Sequence, residues 1–276
     1  MHKPAPLAPG ARIGVVAPAG SVEPTALLAG VAAIEAQGYT VELAPGIYQT
    51  DGYLAGAADE SGRDLSTFFR RTDIAAIFCA RGGFGSSQIL EHLSLDLEKY
   101  PKLFVGYSDI TILLNWLRSR CDMVTIHGPM VATDLARGLS ARNQEHFWGM
   151  LSGRRRAWKI ALGETLRRGQ VEAEMTGGCL SMLVTTLGTA YEFDRRGKIL
   201  FLEDVGEAPY RVERMLTHLK MAGKLDHLAG LVFGEFAQCV GDGPRDVRAV
   251  IGAMFDRAPY PVVTGLLAGH GAENLA

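Results

Sequence analysis

Apolar residues along the first 120 positions fall into two alternating rhythms. "RIGVVAPAG" (12–20) is an apolar run closed by Pro and Gly. "PTALLAGVAAIEAQG" (24–38) carries Leu27, Val31 and Ile34 at i, i+4 and i+7, with Pro24 at its start and Gly38 at its end. That spacing with those end signals predicts a helix. "YTVELAP" (39–45) alternates with the period of a strand. "GRDLSTFFRRTD" (62–73) reads as a short amphipathic helix, and "IAAIFCA" (74–80) as a buried strand running into "RGGFGSSQIL" (81–90). "KLFVGYS" (102–108) is the next strand, after which Ile110, Leu113, Leu114 and Leu117 form one helix face. Strands separated by helices predict a mostly parallel sheet covered on both sides, with ligands at the carboxyl ends of its strands.

The rhythm breaks over 132–175, which is more polar, interrupted by Gly and without a long apolar strand. We therefore expect an N-terminal domain over 1–150, a linker over 151–172 and a C-terminal domain over 173–276. The second half opens with "TGGCLSMLVTTLGT" (176–189), followed by a strand "KILFLEDV" (198–205). In "PYRVERMLTHLKMAG" (209–223), Val212, Met215, Leu216 and Leu219 share one face between Pro209 and Gly223, which predicts a helix. The strand "LAGLVFGEF" (228–236) and the closing "YPVVTGLLAGHGAENLA" (260–276) complete it. The expected class is α/β in two domains: an N-terminal, mostly parallel sheet flanked by helices, and a C-terminal α/β domain with a smaller sheet.

Composition narrows the function. The chain has 276 residues, 47% hydrophobic and 21% charged, an ordinary balance for a polypeptide that buries a core. A net charge of −2 gives no electrostatic footprint for nucleic acid. The basic clusters "SGRRRAWK" (152–159) and "LRRGQ" (166–170) read as solvated linker. The N-terminus shows no long apolar segment of a signal peptide, and no run approaches membrane-spanning length, so no membrane partner is expected. Cys79, Cys121, Cys179 and Cys239 form no CxxC pair, which fits buried, reduced thiols in a cytoplasmic protein. None of the seven histidines lies in an HExxH arrangement, so neither a metal nor another cofactor is expected.

Three polar residues each follow or end an apolar run: Ser108 after "KLFVGY", Glu203 in "ILFLE", and His270 after "VVTGLLAG". A nucleophilic hydroxyl needs a base within hydrogen-bond reach, and the base needs a third group to orient it. Each residue also has a plainer reading. Ser108 suits a helix N-cap, Glu203 a surface ion pair, and His270 a packing role in a loop. Asp204 points to the opposite strand face from Glu203, and the residues themselves do not choose between the two. "RGGFG" (81–85) is neither a GxxxxGK[ST] nor a GxGxxG phosphate loop. Its other use is to bring backbone N–H groups close to a reacting oxygen, with the N–H of Asp109 as the natural second donor. Gly106-Tyr107-Ser108-Asp109-Ile110 does not match GxSxG, so an α/β-hydrolase is not supported.

Taken in order, "APAG", "ARGGFGSSQIL", "FVGYSDITILLNWL", "IHGPM", "GGCLSML", "FLEDVGEAPYRVERML" and "GHGAEN" resemble the LD-carboxypeptidases over about residues 12–274. These serine peptidases include muramoyltetrapeptide carboxypeptidase and the microcin-C self-immunity peptidases. The resemblance implies a catalytic triad of Ser108, Glu203 and His270, with the nucleophile on the first domain and its two partners on the second. It implies an oxyanion hole from Gly83 and Asp109, a metal-free mechanism, a murein peptide substrate in cytoplasmic cell-wall recycling, and a homodimer. A carboxypeptidase must also read a terminal carboxylate, for which Arg81 and Arg211 are the candidate cations by motif, with surface ion pairing as the plainer alternative.

Two departures stand out. Cys179 occupies the place where the family usually has Asn, which removes a polar contact near the substrate. The family also normally continues past "GHG…N" with a Leu-Pro-containing segment that would flank His270, whereas this sequence stops at Ala276. Two other functions are considered beside the murein peptidase. A microcin-C-type immunity peptidase would cleave an amide to a nucleotide-like group and favour an inserted loop, which is not evident between the motifs. A non-catalytic binding protein on the same scaffold would show a broken triad.

Overall fold

The computed structural model describes residues 1–275 and is α/β in class, with two five-stranded sheets. The chain divides into two compact units, Met1–Trp158, which Leu275 joins, and Lys159–Asn274.

The first unit opens with β1 (Arg12–Val16), whose last four residues are buried. α1 (Pro24–Glu35) follows, started by Pro24 and by Glu23, whose carboxylate accepts from the N–H groups of Thr25 and Ala26 at 2.9 and 2.6 Å. Those two bonds satisfy donors that a helix start otherwise leaves unpaired, and they hold the Glu23 carboxyl below its usual pKa. Gly38, at φ +86°, ends the turn as the sequence predicts. β2 (Thr40–Leu43), α2 (Ala58–Arg70), β3 (Ala76–Cys79), β4 (Leu103–Gly106), α3 (Thr111–Arg120) and β5 (Ile126–His127) complete the alternation. All sheet pairs are parallel, in the order β2-β1-β3-β4-β5.

This order reverses between β1 and β3, the switch point at which loops of an open α/β sheet part and leave a crevice. Here the loops are laced together: the N–H of Gly20 donates to the carbonyl of Gly82 at 3.1 Å, and the N–H of Ala80 to that of Val16 at 2.8 Å.

One helix of this unit escapes the sequence reading. α4 (Ala141–Leu151) lies in the stretch read as polar and broken, yet it buries Phe147, Trp148 and Leu151. Ser140 caps it by accepting from the Asn143 N–H at 3.1 Å. The rings of Phe147 and Trp148 lie 5.8 and 6.2 Å from that of Phe78, so α4 closes one face of the sheet.

The second unit holds β6 (Thr165–Arg167), β7 (Met175–Cys179), α5 (Leu180–Thr185), β8 (Ile199–Val205), α6 (Pro209–Met221), β9 (Gly230–Ala237), α7 (Val247–Phe255) and β10 (Val262–Val263). The sheet order is β6-β10-β9-β8-β7, parallel except for β6, which pairs antiparallel with β10. β6 lies within the stretch 151–172, where the sequence shows no strand pattern. The core joins Leu200, Leu202 and Phe233 of the sheet to Val212, Leu216 and Leu219 of α6 and to Val250, Ile251 and Phe255 of α7. The α6 residues include three of the four apolar positions predicted for that face.

α1 crosses a π-helical turn, Val131–Leu135, so closely that a Cβ at Gly30 would meet the Val131 carbonyl oxygen directly. Helix propensity favours Ala over Gly by about 1 kcal/mol, whereas forcing a methyl group against fixed backbone costs about 1–3 kcal/mol. Gly30→Ala should therefore destabilise the protein by up to roughly 2 kcal/mol net, read as a lower urea midpoint; a gain in stability would show that the helix can move away.

Candidate active site

β4 is buried along its whole length and ends at Gly106. A Cβ there would sit 2.8 Å from Ile110 Cγ2 and 3.2 Å from Cys79 Cβ, so glycine is what lets the following turn fold back on the sheet. Tyr107 is extended, its hydroxyl donating to Asp134 Oδ1 at 3.2 Å. Ser108 then takes φ +63°, a left-handed conformation that costs a non-glycine residue about 1–3 kcal/mol and is found where the surroundings over-determine it. The chain continues through a single 3₁₀ turn, Ser108–Ile110, into α3. Neither the turn nor α3 has a side-chain cap. The N-cap reading of Ser108 is therefore not the role the structure gives it.

The glycine-rich turn after β3 meets this serine. A Cβ on Gly82 would lie 2.9 Å from Ser108 Cβ, 3.0 Å from its Oγ and 3.4 Å from the Asp109 nitrogen, so only a bare backbone fits beside the hydroxyl. Gly83, at φ +113°, lies against Gly20 of the β1 loop. Arg81 is exposed and donates to the Ser21 carbonyl at 3.2 Å. Asp109 is almost fully buried, and burial raises the pKa of its carboxyl. The side-chain contacts of Asp109 with Ser86 were not evident in the sequence, because "SSQIL" looks like the start of any helix.

In the second unit, Glu203 has no exposed surface and its Oε2 lies 2.7 Å from His270 Nδ1. A β-bulge makes room for it. Leu202 pairs with Phe233 and Asp204 with Phe236, so β9 carries an extra residue opposite Glu203, at Gly234–Glu235. A Cβ on Gly234 would come within 2.5 Å of the Ala268 carbonyl and 3.1 Å of Glu203 Cβ; one on Gly269, at φ +119°, would come within 2.5 Å of Glu203 Oε2. The bulged strand instead turns its Glu235 N–H to the Ala268 carbonyl at 3.1 Å, and Asn274 Oδ1 accepts from the Gly269 N–H at 3.1 Å. The two residues that precede His270 are thus both pinned, Ala268 to β9 and Gly269 to the Asn274 side chain.

The two adjacent carboxylates have different partners. Asp204 accepts from the Ser181 N–H at 2.8 Å, the Ser181 hydroxyl at 3.3 Å and its own neighbour, the Val205 N–H, at 2.9 Å, so it holds the start of α5. Burial raises its pKa. The Cys179 thiol lies 3.5 Å from Asp204 Oδ1, and burial, with Glu203 and Asp204 nearby, pushes it well above the usual thiol range. That environment suppresses the thiolate a cysteine nucleophile would require. Arg211, on α6, lies 3.6 Å from Glu207 and donates to the Tyr210 hydroxyl at 3.2 Å. No group of three or more His, Cys, Asp or Glu side chains that could hold a metal ion occurs among the described residues. Nor is any of their helices long and apolar enough to cross a membrane.

Each unit matches a family model of its own. Residues 13–128 match the LD-carboxypeptidase N-terminal domain and residues 172–276 the LD-carboxypeptidase C-terminal domain. A Bacillus subtilis protein named "Probable murein peptide carboxypeptidase" is 36% identical, over 100% of this chain and 88% of its own. Murein tetrapeptide carboxypeptidase of Pseudomonas aeruginosa is 32% identical over 96% of this chain and 90% of its own. Among solved structures, muramoyltetrapeptide carboxypeptidase from Oxalobacter formigenes superposes with a TM-score of 0.85 at 31% identity, covering 96% of this chain and 91% of that one. The microcin C7 self-immunity protein MccF superposes with a TM-score of 0.86 at 25% identity, covering 97% and 90%. With both domain models matched in order and relatives above 30% identity along nearly its whole length, the chain belongs to the LD-carboxypeptidase family.

Proposed function

We propose that this carboxypeptidase removes the terminal D-Ala from murein tetrapeptides, with Ser108 as nucleophile, His270 as general base and acid, and Glu203 as the group that orients the imidazole. The observation that carries the reading is the 2.7 Å contact between a fully buried carboxylate and His270 Nδ1. An ionised carboxylate only accepts, so the Nδ1 proton is fixed there and Nε2 is left to take one. The left-handed turn at Ser108, with the bare backbone of Gly82 against it, supports the nucleophile's part.

In this mechanism Ser108 Oγ attacks the carbonyl that joins an L-centre of the diamino acid to D-Ala. His270 accepts the serine proton as the Oγ–C bond forms. The backbone N–H groups of Gly83 and Asp109 hold the negative oxygen. The C–N bond then breaks, and His270 gives its proton to the departing D-Ala amine. Water, deprotonated by the same imidazole, releases the shortened peptide from Ser108. Glu203 stabilises the imidazolium in both halves. Arg81, next to the Gly82 contact with Ser108, is the arginine better suited to read the free carboxylate; Arg211 already has Glu207 as its partner. Cytoplasmic murein recycling and a homodimeric state belong to the same reading and rest on the family resemblance.

A second reading follows from the likeness to MccF: hydrolysis of an amide linked to a nucleotide-like group. Incubation of the purified protein with muropeptides and, separately, with an aminoacyl sulfamoyl adenosine separates the two. Mass spectrometry should show loss of one alanine from the tetrapeptide; cleavage of the nucleoside conjugate alone would favour the second reading.

Replacing Ser108 with Ala should abolish turnover and leave the fold intact, as read by circular dichroism; a wild-type rate would remove Ser108 from the mechanism. Glu203→Gln should lower kcat on the order of 10⁴-fold, by analogy with the Asp→Asn change in a serine-protease triad. Asp204→Ala should act mainly on stability, costing about 1 kcal/mol for a lost helix cap. A fall of less than tenfold for Glu203→Gln would assign the orienting role to another group. Because backbone donors rather than a Lewis acid hold the oxyanion, activity should also survive prolonged EDTA and phenanthroline. Loss to chelators with recovery on adding zinc would defeat the serine mechanism.

A further inference from the structure

The two backbone donors assigned to the oxyanion stand on separate turns, one after β3 and one after β4. Their mutual placement has to be fixed before substrate arrives, because donors that must reorganise during the reaction stabilise little. The turn after β3 is poorly suited to hold itself. It contains Gly82, Gly83 at φ +113° and Gly85 at φ +140°, the residue type with the most backbone freedom to lose. The turn after β4 carries the strained Ser108.

Ser86 joins them. It is the first residue after the glycines, is completely buried, and spends both of its donors on one residue. Its N–H donates to Asp109 Oδ2 at 2.9 Å and its hydroxyl donates to the Asp109 carbonyl at 2.6 Å. Asp109 is 1% exposed, and its Oδ1 has no hydrogen-bond partner among the described residues. A carboxylate in that position is expensive, since burial without a counter-charge disfavours its ionised form. Packing alone would be served better by an apolar residue. What the carboxylate supplies is a rigid acceptor pair: side chain and main chain of the residue after the nucleophile are both gripped from the opposite turn.

We propose that Ser86 and the side chain of Asp109 are positioning residues, a two-bond clamp that sets the spacing between the Gly83 and Asp109 N–H groups and holds Ser108 in its left-handed conformation. The inference rests on the serine-nucleophile reading. It assigns to Asp109 a role distinct from that of its own backbone N–H, and gives one to a completely buried serine.

The test uses the full chain and two readouts: the rate at which a fluorophosphonate probe modifies Ser108, and kcat and KM on a purified muropeptide, each corrected for the folded fraction. Wild type should be labelled at Ser108. Asp109→Ala should lower both the labelling rate and kcat about 100-fold, with KM changed less than threefold, the size of effect seen when an oxyanion contact is misplaced. Ser86→Ala, which keeps the N–H bond and loses the hydroxyl bond, should fall about tenfold, intermediate between the two limits. Asp109→Asn retains an amide oxygen for the Ser86 N–H and should stay within about tenfold of wild type. If Asp109→Ala does not fold, Ser86→Ala and Asp109→Asn carry the test. Variants that lose thermal stability but keep wild-type labelling and kcat per folded molecule would overturn the clamp. So would an Asn variant as slow as the Ala variant, since charge and not the bond would then matter. A wild-type protein left unlabelled at Ser108 would instead overturn the nucleophile assignment on which the clamp depends.

Discussion

Glu203 is a carboxylate with no access to water, set 2.7 Å from a histidine nitrogen, and the local architecture of the second unit follows from keeping it there. Leaving such a group without a partner would cost several kcal/mol, so its surroundings have to be exact in shape as well as in polarity. The bulge in β9 shifts one strand to open the space, glycines at 234 and 269 remove the side chains that would fill it, and Asn274 ties down the segment that carries His270. None of these residues needs to touch substrate. Their common effect is to give one imidazole one orientation.

The first unit solves a different problem with similar means. Ser108 stands just past the end of a parallel strand, where the backbone turns abruptly into a helix. The fold pays with a left-handed serine, and makes the turn possible by using glycine at 106 and at 82, where any Cβ would collide. Polar side chains buried behind the turn then hold it: Tyr107 through Asp134, and Asp109 through Ser86. The strained residue is thus surrounded by bonds that leave it few alternatives, which is the condition under which strain persists in a folded protein.

The neighbouring polar groups illustrate how burial distributes roles. Asp204 lies one residue from Glu203, yet its two hydrogen bonds from Ser181 commit it to the start of α5. The buried Cys179 thiol lies 3.5 Å from Asp204 Oδ1, and burial beside two carboxylates pushes its pKa well above the usual thiol range. Both are close to the candidate site in sequence or in space, and neither is free to do chemistry there.

Apolar periodicity determined much of this protein by itself. The alternation of β1, α1, β2, α2, β3, β4 and α3, the α6 face built on Val212, Leu216 and Leu219, and the placing of Ser108 and Glu203 at or near strand ends could be read from residue spacing, whereas His270 lies on a loop seven residues beyond the end of β10, because only Val262 and Val263 of its apolar run find a strand partner. Those signals are local: they arise from faces repeating every two or 3.6 residues and from Pro and Gly at element ends. α4 was hidden because its polar, Gly-flanked stretch masks a short buried face that only the sheet beneath it defines. β6 and β10, at three and two residues, are too short to carry a period and exist because their neighbours pair with them. The separate partners of Glu203 and Asp204, the bulge opposite Glu203 and the bonds from Ser86 to Asp109 were likewise beyond the spacing of residues. Each depends on which backbone atoms approach across 23 to 67 residues of chain, and that proximity is set by tertiary packing rather than by any local pattern.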